Sequence, residues 1–145
     1  MTIKFLLLAV FGIAMAHLED VVVFYLRSTL GVVNSYSNRK VLERFSKRYL
    51  TIEKSREVST IIMLLVLSYL VSTSLLDFIM VFLWTFAFWD LFYYLSLYIL
   101  LKWPPDLKTM DVLFLIPRPW VAPVWFPIGI SSLTIILIAV FYLIL

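Results

Sequence analysis

Four stretches of the chain are apolar for about the length that crosses a bilayer. A spanning helix needs roughly 20 mostly apolar residues. Such stretches run from about Phe5 to Leu26, from Val58 to Leu76, from Phe78 to Leu101 and from Trp125 to Leu145. Asp77 alone separates the second from the third, which predicts a tight helical hairpin. Ser72, Thr73 and Ser74 just before it fit a helix end near the membrane surface. The expected fold class is therefore all-α: one membrane domain, residues 1–145, built as a bundle of four transmembrane helices.

Two segments break the pattern. Between Ser37 and Lys54, Val41, Phe45, Tyr49 and Ile52 recur at helical spacing with Lys and Arg between them. That predicts an amphipathic helix over about 38–54, lying on the membrane surface with its cations toward anionic lipid head groups, or packed on the bundle. The second segment, Trp103 to Pro127, holds all six prolines of the chain. No long helix survives that density. Within it, Met110 to Ile116 is too short to span and too apolar for water. The expectation is a short in-plane or re-entrant helix, and a Pro-rich cap over 103–124 that closes one end of the bundle, with Trp103, Asp111, Pro117 and Trp120 as its characteristic residues.

Composition sharpens this. Of 145 residues, 63% are apolar and 14% charged, with a mean hydropathy of +1.03. A soluble domain carries about a quarter charged residues, so this chain cannot cover itself with polar groups and needs lipid as solvent. There is no cysteine and one histidine, which excludes disulfides, thiolate metal sites and His-rich cages. With three glycines there is neither a P-loop nor a dinucleotide fingerprint.

Charge then orients the bundle. Arg27, Arg39, Lys40, Arg44, Lys47, Arg48, Lys54 and Arg56 crowd one segment, and Lys102, Lys108 and Arg118 lie in the other long loop. With four spans both loops share one side, and Lys4 stands alone on the other. The positive-inside rule places the basic loops in the cytoplasm and both termini outside, in a multi-pass cell-membrane protein. Aromatic interleaving is too sparse for a nucleic-acid site. Lys4, the following apolar run and Ala14-Met15-Ala16 also resemble a cleavable signal. Cleavage, however, would leave Val21 to Leu26 too short to span and strand the most basic segment outside.

The informative residues are polar ones within the spans. Asp90 sits near the middle of the third. An ionised aspartate there costs about 2.5–3.5 kcal/mol even on lenient insertion scales, so it must face the bundle interior. Tyr93 and Tyr94 share its face and are expected to donate to it. In the first span, His17 and Asp20 lie one turn apart and can share a face, whereas Glu19 is rotated about 100° from its neighbour. At about 1.5 Å per residue, Asp20 lies roughly 10 Å and His17 roughly 15 Å inward from Arg27, while Asp90 lies about 18 Å inward from Lys102. His17 and Asp90 are thus expected to meet if the first and third spans touch. A third cluster, Arg27, Glu53, Arg56 and Glu57, gathers charge at the membrane interface.

These groups admit three functions. The leading expectation is a small membrane subunit or accessory protein, within a larger complex or a homo-oligomer, whose buried polar cluster of Asp90, His17, Glu19 or Asp20, and Glu57 holds helices together. The second is a proton- or ion-coupled transporter centred on Asp90. The third is a membrane-embedded carboxylate or metal enzyme acting on a hydrophobic substrate, although the Glu-x-x-His pair of di-iron bundles is missing. No metal ligand set and no cofactor is assigned. The aromatic run from Phe82 to Tyr98 leaves room for a pigment, quinone or lipid beside the third span. Trp89-Asp90 followed by Tyr93-Tyr94, then Trp103-Pro104-Pro105, Asp111, Phe114-Leu115-Ile116-Pro117 and Pro119-Trp120, resembles small bacterial and archaeal polytopic membrane proteins. The resemblance covers about the C-terminal two-thirds, and no activity is carried over with it.

Overall fold

The computed structural model describes residues 3–31 and 47–145. Their elements, in chain order, are α1 (Ile3–Leu30), α2 (Lys47–Val71), α3 (Leu75–Leu101), β1 (Met110–Phe114), β2 (Trp120–Pro123) and α4 (Trp125–Ile144). Among the described residues, three helices are long and apolar enough to cross a membrane, over Ile3–Thr29, Leu75–Leu101 and Trp125–Ile144. In α2 the apolar part begins only after Glu57. The stretch Val58–Val71 is about 14 residues, or roughly 21 Å at the helical rise, against a hydrocarbon core of about 30 Å.

α3 is the centre of the bundle, packing against α1, α2 and α4. Its start is set locally. Ser74 is the N-cap, its hydroxyl accepting from the Asp77 backbone N–H, and Asp77 in the first turn complements the positive end of the helix dipole. Asp77 thus belongs to α3 rather than to the connection. Its carboxylate also accepts from Thr73 N at 2.9 Å and from Lys4 Nζ at 2.7 Å. That ion pair puts the starts of α1 and α3 at one end of the bundle, where Phe5 also meets Tyr142 near the end of α4. α1 and α3 are therefore parallel, with α4 running against them. The turn of Ser72 to Ser74 reverses α2 against α3. At the other end of α3, Lys102 adopts the left-handed conformation (φ 54°) and its N–H caps Tyr98 O, which stops the helix before the prolines.

One apolar layer, of Phe5, Leu8, Met80, Val81, Trp84 and Ile138, fills the Lys4–Asp77 end. The Trp84 indole donates to Phe5 O at 2.9 Å, which satisfies a polar group in an otherwise dry layer. A second, of Val23, Tyr94, Leu97, Trp103 and Val124, fills the opposite end. Between them Gly12 lets α1 approach α3 closely: a Cβ there would stand 2.9 Å from Thr85 O and 3.1 Å from Trp89 N. The outer faces are apolar on every helix, with Leu6, Tyr69, Leu70, Leu95, Leu137 and Leu143 exposed. A soluble monomer does not expose apolar surface on this scale.

Two expectations are corrected. The proline-rich cap is not a helix. β1 and β2 form an antiparallel hairpin, pairing Met110 with Pro123, Asp111 with Ala122 and Val112 with Val121, with an irregularity before Phe114 meets Trp120. Prolines exclude a long helix here, and Pro123 sits at the end of an edge strand, where no N–H is needed. The hairpin is sewn to α4 by Val124 N on Thr109 O and Trp125 N on Leu107 O, each 2.9 Å. The amphipathic segment is corrected in part. Residues 38–46 lie outside the described residues, but Lys47 to Lys54 form no separate surface helix: they are the first turns of α2.

Candidate functional site

Each helix contributes one stripe to a cavity at the hairpin end. On α1 the stripe is Glu19, Val23 and Arg27, spaced by four. On α2 it is Glu53, Arg56, Glu57 and Thr60, and on α3 it is Phe86, Trp89, Asp90 and Tyr93, both at i, i+3, i+4, i+7. Such spacing brings side chains onto one helical face. Ile130 and Ser131 of α4 complete the ring, and Asp111, Phe114, Leu115 and Trp120 of the hairpin roof it. The cavity measures about 300 Å³, at the lower end of small-molecule pockets.

Glu19 organises its floor. Its Oε1 accepts from Arg56 Nη1 at 2.6 Å and from Thr60 Oγ1 at 2.8 Å, and its Oε2 accepts from Trp89 Nε1 at 2.7 Å. Three helices are thereby joined through one carboxylate, 8% exposed. Arg56 is also held by Glu53, with Nη2 at 2.9 Å and Nε at 3.1 Å from Oε2. Glu57 turns to the roof, accepting from Leu115 N at 2.8 Å and Ile116 N at 3.2 Å. The hairpin has no helical partner for these N–H groups, so the carboxylate takes them. Tyr94 donates to Asp111 Oδ2 at 2.7 Å, and Ser131 donates to Asp90 Oδ2 at 2.8 Å.

Arg27 differs from all of these. Its residue is fully buried, and Nε, Nη1 and Nη2 have no hydrogen-bond partner. Its guanidinium lies 5.0 Å from the Trp103 ring centroid, a cation–π contact, with Tyr93, Asp111 and Asp20 as its electrostatic neighbours. Asp20, seven residues earlier, is likewise fully buried with neither carboxyl oxygen hydrogen-bonded, but it does not line the cavity.

The structure rearranges several expected pairs. His17 and Asp90 do not meet: His17 Nδ1 and Ser96 Oγ share a hydrogen bond at 2.8 Å. His17 and Asp20 do not share an inward face, because His17 is exposed while Glu19 and Asp20 are buried. Tyr94 serves Asp111 rather than Asp90, whose partner comes instead from the fourth apolar helix. α4 thus contributes a polar group to the site. In contrast, Arg27, Glu53, Arg56 and Glu57 do gather at one site. Thr60 and Ser131 were missed. The stripe of Thr60 with Glu53, Arg56 and Glu57 was readable from spacing, whereas Ser131 carried no signal beyond being polar in an apolar run. Among the described residues, no three His, Asp or Glu side chains are placed to hold a metal ion.

Comparison of the chain with family models, with characterised proteins and with solved structures finds no match.

Proposed function

We propose that the chain is a four-span membrane protein whose roofed cavity binds an amphipathic, lipid-class molecule. The observation that carries this is the cavity itself: about 300 Å³, with the apolar Phe86, Phe114, Leu115 and Ile130 and the charged Glu19, Arg27 and Arg56 in its lining. A uniformly apolar wall would suit a hydrocarbon, and a uniformly charged one an ion. A lining that combines apolar and charged residues matches a molecule with both characters.

The fourth span in this reading is α2. Its 25 residues extend roughly 37 Å, and its charged first turns reach past the hydrocarbon beside the hairpin. The basic loops then lie in the cytoplasm and both termini outside, and the cavity opens near the cytoplasmic surface of the cell membrane. Because the chain has no cysteine, single cysteines placed at Thr2, Asp106 and Lys108 test this with an impermeant thiol reagent on intact cells. Labelling of position 2 alone is the expected result; labelling of 106 and 108 alone would reverse the topology.

The binding reading is tested by native mass spectrometry of the full chain extracted in a neutral detergent. A co-purifying lipid of defined mass is expected, and its loss when Ile130→Trp fills the wall. Wild-type protein that carries no such species, and takes none up from added lipid, rules the reading out. A second reading, an accessory subunit whose polar cluster serves only to join helices, draws support from the Glu19 network. It requires a partner chain in a mild-detergent pull-down.

A further inference from the structure

Six of the seven charged side chains that line the cavity are engaged within the protein. Arg56 holds Glu19 and Glu53, backbone N–H groups hold Glu57, Ser131 holds Asp90, and Tyr94 holds Asp111. Arg27 is the exception. It is fully buried, it lines the cavity, and all three of its guanidinium nitrogens are without a hydrogen-bond partner.

A buried guanidinium with its N–H groups unmade is among the costliest arrangements a protein can hold. Trp103 covers one face of the group, but cation–π attraction uses the face and leaves the five in-plane donors unspent. Those donors form a fork that matches two oxygens of a carboxylate or phosphate. The apolar wall points to where such an oxyanion would come from. Trp120, Phe126 and Ile130 line the cavity and are also 53%, 43% and 52% exposed. The lining therefore includes apolar side chains of the hairpin and of the first turns of α4 that are not closed off within the bundle.

We propose that Arg27 is the head-group site for an anionic amphiphile that enters from the lipid, its oxyanion on the guanidinium and its hydrocarbon along Phe114, Trp120, Phe126 and Ile130. The proposal rests on the cavity being a ligand chamber and names the class of ligand it selects. Asp111 and Asp20 near Arg27 do not compete for its donors at hydrogen-bond distance, and they limit the site to one negative head group by repelling a second charge.

The test uses the full chain in a neutral detergent at mildly alkaline pH, with oleate, oleyl alcohol and inorganic phosphate as probes. Oleate is expected to bind at least about tenfold more tightly than oleyl alcohol, which differs from it only at the head. Phosphate alone is expected to bind far more weakly than oleate. Arg27→Gln removes the preference for oleate, so that oleate and oleyl alcohol bind alike. Equal affinity for oleate and oleyl alcohol on the unmodified chain overturns the proposal, as does an undiminished preference in Arg27→Gln. Phosphate binding as tightly as oleate overturns it too, in favour of a free-anion site. If Arg27→Gln does not fold, the two-ligand comparison on the unmodified chain still decides. Failure of both long-chain probes to bind removes the chamber reading itself, so the two failures are distinct.

Discussion

Glu19→Ala is the perturbation whose cost follows most directly from geometry. It deletes one carboxylate and three hydrogen bonds, from Arg56, Thr60 and Trp89. Interhelical hydrogen bonds in membrane proteins are worth about 0.6 kcal/mol on average and about 1.7 at most. Three of them therefore give about 2–5 kcal/mol, which agrees with the cost of breaking a buried ion pair from one side. Arg56 keeps Glu53, so its own charge is not stranded, and the lower half of that range is favoured. Glu19→Gln keeps one acceptor oxygen for Arg56 and Thr60 but turns its amide N–H₂ against the Trp89 indole N–H, so it falls between Ala and wild type. The assay is unfolding of the purified chain by SDS in mixed micelles, followed by far-ultraviolet circular dichroism. A cycle with Arg56→Met adds the decisive comparison. Because the double variant removes both charges, it is expected to lose at least about 1 kcal/mol less than the two single losses combined. Glu19→Ala within about 0.5 kcal/mol of wild type, or strict additivity in the cycle, refutes the network as a helix-joining device.

Other consequences are equally concrete. Gly12→Val places a Cβ 2.9 Å from the Thr85 carbonyl, so α1 and α3 must separate, costing about 1–3 kcal/mol in the same unfolding assay. Gly129→Ala meets nothing within 4 Å and gains helix propensity in α4, so it is expected to stabilise by about 0.5–1 kcal/mol. Glu57→Ala frees the Leu115 and Ile116 N–H groups from α2; hydrogen exchange there is expected to accelerate while α1 and α3 stay protected, and unchanged exchange would count against the tether. Tyr94→Phe removes the donor to Asp111 Oδ2 and is expected to cost about 1–3 kcal/mol, read as earlier loosening of the hairpin than of the helices.

The sequence by itself determined the medium and the helices. Among the described residues three helices are apolar enough to cross a membrane, as composition implied, and helical periodicity needs only local spacing. That is why the apolar stretches near 5–26, 78–101 and 125–145 correspond to α1, α3 and α4, and why Arg27, Glu53, Arg56 and Glu57 were readable as one interfacial cluster. The tertiary structure decided everything that depends on rotation and on partners distant in the chain. Depth along a helix suggested that His17 meets Asp90. Depth does not fix azimuth: α1 buries Glu19 in the cavity lining, whereas His17 is exposed and bonds Ser96 of α3. The prolines exclude a long helix in the cap, but the short helix expected at Met110 to Ile116 is a strand, because the hairpin depends on pairing across the turn and on a carboxylate 58 residues away in α2. Arg27 shows the division most clearly. As a letter near the end of an apolar run it reads as a topology signal. Only the packing of α1, α3, Trp103 and the hairpin buries it in the lining of a cavity and leaves its donors without a hydrogen-bond partner.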